Sequence, residues 1–544
     1  MVFRCWSASE RRSRRGSQHG AAWRSDEFER TGDQAHADTR HDAHAVQRRC
    51  TRLCCVVPTQ LHPLDSDFVR DQLVQRTVDV NGMRHNPEGE YVLYWMQSTH
   101  RLDENWALRA ATRAADKIGR PLVIHQGLDP TYPHASDRHH TFMLEGARET
   151  AQRASDIGVH YQFVLRERRD DDRRVLDRLA ARAYLVVTDL FPTAGICERT
   201  ERFALRAPCR VLAVDSSCIV PSGVFTYAEY AARTIRPKLA KLLDHSLEPV
   251  QDCAPRIALT DSLRASLVDS TQSPTLPVAG FSDAQLAAAV GRSEIDHSVS
   301  RVVEKPGGNA AALLTLNRFL TDGLPKYSEE RGDSSLEEST SGLSPYLHVG
   351  HIASAAVVRA ARECNAPAAS IDAFVQQVTT WRELSYNWCL RTRDFDQLNA
   401  LPDWIQKTMR EHVNDERPWS YDLETLERGE THDAFWNAAQ RQLVATGVIH
   451  NYARMLWGKT LLLWTPDYET ARRYMFHLND KWALDGRDPN SVGGIMWCLG
   501  LWDRPWGNKP IWGGIRPMVT ARVKLKFDTS AYLARWNGTS QLEL

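Results

Sequence analysis

The stretch YVLYWMQ, residues 91–97, is an apolar run of strand length, and it predicts the fold of the first half of the chain. Four similar runs follow it, and segments with helical periodicity separate them. They are PLVIHQGL (121–128), YQFVL (161–165), YLVVTDL (184–190) and RVLAVD (210–215). Strands that alternate with helices predict an α/β domain with a parallel, Rossmann-like sheet and right-handed crossovers. No G-x-G-x-x-G sequence follows the first strand, so the fingerprint of a dinucleotide site is absent there.

Apolar residues recur at helical spacing in five later segments, which predicts an all-α second domain. These segments are AAALLTLNRFL (310–320), HIASAAVVRAA (351–361), FVQQVTTWRELSYNWCL (374–390), FWNAAQRQLVATGVIHNYARMLWGKTLLLW (435–464) and YETARRYMFHL (468–478). We therefore predict an α/β domain over residues 86–250, a linker over 251–307, a helical domain over 308–530 and a C-terminal tail over 531–544.

The N-terminal segment has a different composition. Residues 1–60 contain eleven arginines, no lysine and no apolar period. Such a segment buries too little apolar surface to offset its ordering entropy, which predicts a disordered basic extension over residues 1–85. It is either an arm that contacts nucleic acid or sequence upstream of the true start at Met83. Cys50, Cys54 and Cys55 form a cluster there, but no His or Cys pair follows at zinc-like spacing, so we predict no metal site.

Length and composition limit the class of protein. A chain of 544 residues exceeds one ordinary domain. The 68 basic residues offset 68 acidic ones, so any nucleic-acid site must come from a local patch. The sequence has no apolar run of bilayer length and no signal-peptide h-region, which predicts a protein without membrane contact. Eleven cysteines without paired spacing favour a reducing, cytoplasmic compartment.

Polar residues are concentrated in HLNDKWALDGRDPNSVGGIMW (477–497), between two helical segments. The amides and carboxylates there are Asn479, Asp480, Asp485, Asp488 and Asn490. Because buried polar groups need partners, they indicate either a lined cavity or a capped interhelical loop. Arg454, in the preceding helical segment, supplies a cation for one of the aspartates.

Hydroxyl side chains precede a predicted helix in KYSEERGDSSLEESTSGLSPYLHVG (326–350). Thr340, Ser341 and Ser344 lie where backbone N–H groups and the helix dipole attract phosphate. Arg331 adds a cation. A phosphate site and an ordinary capping motif both fit this pattern.

Six stretches together resemble the photolyase/cryptochrome family, and most closely its class II cyclobutane pyrimidine dimer photolyases. They are YVLYWMQ, EYAARTIRPKL (229–239), GGNAAALLTLNRFL (307–320), LSPYLHVG (343–350), THDAFWNAAQ (431–440) and LNDKWALDGRDPN (478–490). The resemblance implies an α/β antenna domain and a helical domain that holds FAD in a U shape. It also implies light-driven electron transfer from reduced FAD to a pyrimidine dimer that is flipped out of UV-damaged duplex DNA.

The resemblance also assigns roles to individual residues. The FAD contacts it implies are Tyr327, Arg331, Thr340, Ser341 and Ser344 around the pyrophosphate and ribityl chain, together with Arg454, Asn479 and Asp485. Among these, Asn479 faces flavin N5, while Arg454 and Asp485 lie beside the isoalloxazine ring. The dimer pocket it implies has Trp381 and Trp497 as walls, with Tyr452 and Met455 lining it.

Tryptophan is unevenly distributed, since 13 of the 17 lie at or beyond position 381. In RMLWGKTLLLW (454–464), Trp457 and Trp464 are seven positions apart, on one face of a predicted helix. With Trp436 they resemble the tryptophans through which class II enzymes re-reduce photoexcited flavin. Core packing is the alternative reading of the spacing, because an indole buries a large apolar area.

Gln377 is the important departure from the family pattern. The family has a glutamate at this position, four residues before Trp381, and it hydrogen-bonds the dimer. Glutamine is either a tolerated isostere or a sign that repair has been lost, as in a cryptochrome-like blue-light photoreceptor. The segment VDSSCIVP (214–221) also departs from the family's antenna-side pattern, which puts an antenna chromophore of the 8-hydroxy-5-deazaflavin type in question.

Two other functions are weaker alternatives. Repair of (6-4) photoproducts calls for a histidine over the lesion, but His348 and His351 lie in the flavin-side motif. A purely structural helical protein conflicts with the polar cavity.

The last stretch, RPWGNKPIWGGIRPMVTARVKLKF (504–527), has six basic residues, two tryptophans and no acidic residue. Such a surface suits DNA phosphates beside a damage pocket, whereas a solvated strand face is the alternative. We therefore expect UV-damaged DNA as the partner of a monomeric protein.

Overall fold

A computed structural model of the chain places the five predicted strands in one six-stranded sheet. The structure describes residues 72–250, 254–271 and 276–537. The strands are β1 (Thr77–Asp79), β2 (Tyr91–Met96), β3 (Leu122–Leu128), β4 (His160–Leu165), β5 (Ala183–Asp189) and β6 (Arg210–Val214). Their order is β1-β6-β5-β2-β3-β4, and every pairing is parallel except that of β1 with β6. Tyr94 in the central strand lies opposite Ile124 and Val187.

Helices cover both faces of this sheet and are the main regular structure in the second half of the described chain. Those of the first half are α1 (Gln72–Arg76), α2 (Trp106–Ile118), α3 (Asp137–Asp156), α4 (Val175–Ala181), α5 (Ile196–Ala204), α6 (Ala232–Ser246), α7 (Asp261–Thr271) and α8 (Asp283–Arg292). Those of the second half are α9 (Asn309–Arg318), α10 (Tyr327–Glu330), α11 (Ser344–His348), α12 (Ser354–Glu363), α13 (Ala368–Gln376), α14 (Arg382–Arg391), α15 (Asp403–Glu411), α16 (Leu423–Arg428), α17 (Ala434–Thr446), α18 (Asn451–Trp464), α19 (Tyr468–Trp482), α20 (Pro489–Cys498) and α21 (Ser530–Asn537). The predicted order of an α/β domain followed by a helical domain is confirmed.

The prediction of disorder is wrong for residues 72–79, which form α1 and the edge strand β1. Arg76 is buried there, and its guanidinium donates to the carbonyl oxygens of Cys218 at 2.7 Å and Ile219 at 2.5 Å. A guanidinium has five donors, so loop carbonyls far away in sequence compensate its burial. The predicted extension up to residue 71, including the cysteine cluster at 50–55, lies outside the described residues.

The predicted linker contains two helices, α7 and α8. Ser282 and Gln285 form a reciprocal capping box that begins α8. Leu286 and Val290 then pack with Leu144 of α3 and Phe163 of β4 in one apolar cluster. This part of the connection is therefore attached to the sheet domain.

The start of α3 is one of several places where the α/β part contacts the helical part. Arg138 donates to the carbonyl oxygens of Trp482 and Val444, both at 2.6 Å. His139 Nε2 lies 3.1 Å from the carbonyl oxygen of Ala483. These contacts fix the end of α19 and the turn after it, where the polar motif begins.

Candidate active site

The turn between α19 and α20 holds an ion pair that the sequence predicted. Arg454 Nη2 donates to both carboxylate oxygens of Asp485, at 2.9 and 3.1 Å. Ser344, at the start of α11, hydrogen-bonds the same carboxylate, and Ser491 of α20 lies 3.4 Å from Arg454 Nη1. Burial alone would raise the pKa of Asp485, but the Arg454 charge and these hydrogen bonds hold it below its ordinary value. The pair is therefore ionised at neutral pH.

Asn479 lies one turn before the end of α19 and is buried. Its side-chain amide donates to Asp480 Oδ1 at 2.9 Å, and the backbone N–H of Arg487 donates to the same oxygen at 2.9 Å. Burial raises the pKa of Asp480, while the nearby Arg487 charge opposes that rise. The orientation of the Asn479 amide is thus set by a neighbouring carboxyl group.

Tyr327 and Arg331 form a separate group, near α13. The Tyr327 ring is buried edge-on against Phe319 and Phe374, at centroid distances of 5.6 and 5.5 Å. The Arg331 guanidinium lies 5.9 Å from the Tyr327 ring. The structure thus brings these two predicted residues together.

The loop with Thr340 and Ser341 is held to α18 by a histidine that the sequence did not reveal. Ser339 Oγ lies 3.1 Å from His450 Nε2, and His450 Nδ1 accepts from the backbone N–H of Tyr452 to cap α18. Burial lowers the pKa of His450 to about 4, so the ring is neutral and able to accept this bond. Ser341 Oγ accepts weakly from Leu343 N at 3.4 Å, which leaves its hydroxyl hydrogen available for a ligand.

The two predicted walls of the dimer pocket lie on helices that pack closely. Trp381 ends a π-helical turn, Gln377–Trp381, and Trp497 lies near the end of α20. Both indoles and Gln377 are half-buried, whereas Gln376 is exposed. A Cβ added to Gly493 would lie 2.4 Å from Ser385 Oγ, so the glycine permits α14 and α20 to approach. π-Turns inside helices are frequent at functional sites.

The other two predicted pocket residues come from α18. Met455 Cε lies in van der Waals reach of Gly494 on α20, one turn before Trp497. The Tyr452 ring meets Phe527 at 5.9 Å, and the Lys526 ammonium lies 5.2 Å from it. Tyr452 therefore connects the pocket side of α18 to the basic C-terminal segment.

The three predicted relay tryptophans are buried and adjacent, with exposures of 0% for Trp436, 2% for Trp457 and 3% for Trp464. Trp436 and Trp457 are stacked at 6.1 Å with planes 9° apart, and Trp436 meets Trp464 edge-on at 5.5 Å. Asp433 caps α17 through the backbone N–H groups of Phe435 and Trp436. Trp436 Nε1 donates to the carbonyl oxygen of Trp457. The spatial order is therefore Trp457, Trp436, Trp464.

Aromatic rings continue outward from Trp464, and sequence reasoning missed them. Trp464 meets Tyr421 at 5.4 Å and His432 at 5.1 Å, and Tyr421 Oη lies 2.7 Å from His432 Nδ1. His432 stacks on Trp419 at 4.1 Å, and Trp419 is 49% exposed. Periodicity gives no sign of this, because Trp419 and Tyr421 lie in a loop. The row of rings reaches solvent.

One of the two tryptophans in the basic C-terminal segment is exposed to solvent. Trp506 is 39% exposed and lies between the guanidinium groups of Arg504 and Arg516, at 4.9 and 4.8 Å. Trp512 is buried in the helical core. The predicted interleaving of cations and aromatics is thus restricted to Trp506.

The donors around Arg454 and Thr340 fit FAD. Arg454 Nε is buried and has no hydrogen-bond partner among the described residues. A polar ring edge with carbonyl and N–H groups suits Asn479, Arg454 and the ionised Asp485. Hydroxyl groups on Thr340 and Ser341, with a cation at Arg331, suit a diphosphate.

Comparison with known proteins agrees with this geometry. The family model for DNA photolyase matches residues 92–256. The chain is 33% identical to the deoxyribodipyrimidine photo-lyase of Methanothermobacter thermautotrophicus, over 85% of this chain and 98% of that protein. It is 34% identical to the enzyme of that name from Oryza sativa, over 82% of this chain and 87% of that protein. The chain belongs to the DNA photolyase family, whose members depend on FAD.

Solved structures show the same fold. A bacterial class III photolyase from Agrobacterium tumefaciens aligns with a TM-score of 0.57 at 19% identity, covering 83% of this chain and 87% of its own. A Synechocystis cryptochrome aligns with a TM-score of 0.59 at 16% identity, covering 84% and 89%. At such identities the likeness concerns the fold alone.

Two absences hold for the described part of the chain. Every helix in it is too short or too polar to cross a membrane. It also contains no group of three or more His, Cys, Asp or Glu side chains arranged to hold a metal ion.

Proposed function

We propose that this protein splits cyclobutane pyrimidine dimers in UV-damaged DNA with light, as a deoxyribodipyrimidine photo-lyase. The observation that carries the proposal is that Trp381 and Trp497, both half-buried, are borne by helices that pack closely, and that α20, which holds Trp497, also supplies Ser491 next to Arg454. Two partly open indoles suit a flipped pyrimidine pair, because bases bind to aromatic faces. A protein that only senses light has no need of such walls.

In this proposal FAD is held by Arg454, Asp485, Asn479 and Ser344 at its ring, and by the hydroxyl loop with Arg331 at its phosphates. Reduced FAD, when bound, supplies the photoexcited electron that opens the cyclobutane ring. The ionised Asp485 keeps Arg454 in place, so that the guanidinium can stabilise negative charge on the flavin ring. Asn479 provides a neutral amide whose orientation Asp480 fixes.

The pocket residues bind and orient the lesion. Met455 fills the space between α18 and α20, and its flexible thioether adapts to the shape of the dimer. Gln377 offers an N–H donor to a pyrimidine carbonyl from the π-turn. Extruding a damaged pair costs less than extruding an intact one, which contributes to selectivity.

The row of buried indoles supplies electrons toward the flavin site. An electron that leaves Trp457 is replaced from Trp436 and then from Trp464, since these rings are in contact in that order. His432 is close enough to Tyr421 Oη to receive its proton. The exposed Trp419 then marks where the row meets solvent.

DNA contacts outside the pocket fall on the C-terminal segment. Arg504, Arg516 and Lys526 place positive charge around Trp506 and Tyr452. Cations next to exposed rings bind phosphates and unstacked bases, with affinity that falls as salt rises.

A blue-light sensor without repair remains the second candidate, because Gln377 replaces the glutamate of the family pattern. Repair of (6-4) photoproducts is disfavoured by geometry. His348 is buried 3.3 Å from Asp488, and His351 is buried where it accepts from Gly308 N.

The test is light-driven dimer splitting by the purified, photoreduced protein on a UV-damaged thymine oligonucleotide, beside a Gln377→Glu variant. Repair by the native protein supports the lyase and makes Gln377 a tolerated substitution. If only Gln377→Glu repairs dimers, the native protein is a sensor on a photolyase scaffold.

Finer features of the proposal concern the antenna, the compartment and the assembly. The altered segment 214–221 puts an 8-hydroxy-5-deazaflavin-type antenna in question, and the absorption spectrum of the isolated protein tests whether one is bound. None of the six cysteines in the described ranges forms a disulfide, which favours a reducing cytoplasm. We expect the protein to act as a monomer.

A further inference from the structure

Lys459 on α18 is a buried cation that the proposed mechanism does not use. Its side chain is 0% exposed, and Nζ has no hydrogen-bond partner among the described residues. An unpaired buried ammonium is costly, so such groups are rare unless they interact with something specific.

The specific neighbour of Lys459 is Trp497. The ammonium nitrogen lies 4.6 Å from the centre of the indole ring, within the range of a cation–π contact. Lys459 follows Met455 by one helical turn and Tyr452 by about two, so all three lie on the pocket side of α18. Trp457 and Trp464 project from a different face of the same helix.

The charges around the ammonium are few. Cys498 of α20 and Asp503 and Arg516 of the following segment are the groups whose charges act on it. Burial raises the pKa of the Cys498 thiol to about 12, so this group is neutral. Asp503 Oδ1 accepts a hydrogen bond from Trp506 Nε1, and Asp503 Oδ2 has no hydrogen-bond partner within the described residues. Burial lowers the pKa of Lys459 to about 8, so most of the population is charged at pH 7.

We propose that the Lys459 ammonium makes Trp497 hard to oxidise and thereby confines light-driven electron loss to Trp457, Trp436 and Trp464. The proposal rests on the proposed function, because it takes Trp497 as a wall of the lesion pocket close to the flavin. The effect of the ammonium on Trp497 is electrostatic. A tryptophan radical cation at 497 would face a positive charge across 4.6 Å of water-poor interior, whereas Trp457 has the neutral Gln440 amide as its Nε1 partner.

The electron balance is simple. One electron leaves an indole, the photoexcited oxidised flavin is the acceptor, and the indole becomes a radical cation. Lys459 keeps its proton throughout. Without its charge, Trp497 becomes a competing donor, and among the described residues no ring contact connects it to Trp457, Trp436 or Trp464.

The first test needs neither cofactor nor repair. The full chain is labelled with 5-fluorotryptophan, and the Trp497 resonance is assigned by its loss in Trp497→Phe. We expect this resonance to titrate with a midpoint near the Lys459 pKa of about 8, and to lose the titration in Lys459→Met, which keeps the packing. A resonance that does not titrate, or that titrates equally in Lys459→Met, overturns the proposal.

The second test maps where electrons are lost. The FAD-loaded protein is illuminated without external reductant, and oxidised tryptophans are located by peptide mass spectrometry. Lys459→Met should raise oxidation at Trp497 by at least about tenfold relative to the relay tryptophans. Lys481→Met is the matched control, since it removes a cation 5.1 Å from the Trp482 ring on another helix.

The outcomes separate the two proposals. An equal rise at Trp497 in both variants, or no rise in Lys459→Met, contradicts the role of Lys459. Failure to split dimers in a protein whose Trp497 resonance titrates as expected contradicts the repair function and leaves the electrostatic contact standing.

Discussion

Replacing Asp485 with asparagine tests the central ion pair of the site. Two unit charges about 3 Å apart attract by roughly 5–6 kcal/mol at an effective dielectric constant of about 20. Much of that is offset by desolvation, but removal of one partner leaves Arg454 charged and buried. Breaking such a pair typically costs about 3–5 kcal/mol. Because asparagine keeps one acceptor oxygen, we expect Asp485→Asn to lower the free energy of unfolding by about 3 kcal/mol.

The pH dependence follows from the lowered pKa of Asp485. A carboxyl group with a depressed pKa in the folded state contributes stability that is present above its unfolded pKa. That contribution is lost as pH falls through the folded pKa. The difference between the native protein and Asp485→Asn should therefore be constant from pH 7 to about pH 5 and shrink below about pH 4.

The assay is urea unfolding of FAD-free protein followed by tryptophan fluorescence, which reports mainly on the helical domain because 13 of 17 tryptophans lie at or beyond residue 381. A double-mutant cycle with Arg454→Gln provides the control. The double variant should be more stable than the sum of the single losses predicts, since it contains no unpaired charge. A loss below about 0.5 kcal/mol at pH 7, or additive single losses, would refute the reasoning.

Three further changes test the relay and the packing. Trp436→Phe should slow flavin photoreduction at least about tenfold, which corresponds to a rise of about 1.4 kcal/mol in the activation barrier, while chemically reduced enzyme still repairs dimers. Equal loss of photoreduction and repair contradicts the relay. Gly493→Ala should destabilise by about 1–3 kcal/mol in urea, because its Cβ meets Ser385 Oγ at 2.4 Å, whereas Gly494→Ala, with only an ordinary 3.5 Å contact, should not. Arg76→Met should cost about 3 kcal/mol by leaving loop carbonyls unpaired, and an unchanged urea midpoint would show that α1 adds no stability.

The strand core was predictable because it depends on local sequence. Strands buried on both faces of a parallel sheet are continuous apolar runs, and Tyr91–Met96 is buried at every position. β1 was missed for the opposite reason. It has three residues, and it is held by Arg76, whose carbonyl partners lie more than 130 positions away.

In the candidate site, too, residues within one stretch of sequence were predictable and contacts between distant residues were not. Asn479 and Asp485 lie within one contiguous motif, so one recognisable stretch predicted both. The partners that set the chemistry of Asp485, namely Ser344 and Arg454, come from other helices. The sequence suggested Arg454 as a cation for one of the aspartates, the family resemblance paired it with Asp485, and the contact with Ser344 was not predicted. His450 and Tyr421 were missed because their roles depend on helix capping and ring contacts that sequence spacing does not encode.

The place of Trp436 illustrates why spacing alone misled. Trp457 and Trp464 share a face of α18, but the ring contacts between them run through Trp436 of α17, which meets both rings. That arrangement depends on how α17 and α18 pack after the break at Gly447–His450. The sequence marks the break with a glycine but gives no crossing angle.

Helix α18 contributes residues to several parts of the candidate site. Tyr452, Met455 and Lys459 lie on the side of the proposed lesion pocket, Trp457 belongs to the proposed relay, and Arg454 lies between them on the helix surface. A helix that is apolar on most sides is normally a core element, and its sequence then has weak amphipathic contrast. Here each face of α18 contacts a different part of the candidate site, so a small rotation of α18 would displace the pocket residues, the ion pair and the relay tryptophan together. The ammonium of Lys459 has no hydrogen-bond partner among the described residues, and its cation–π contact with Trp497 offsets part of the cost of burying it.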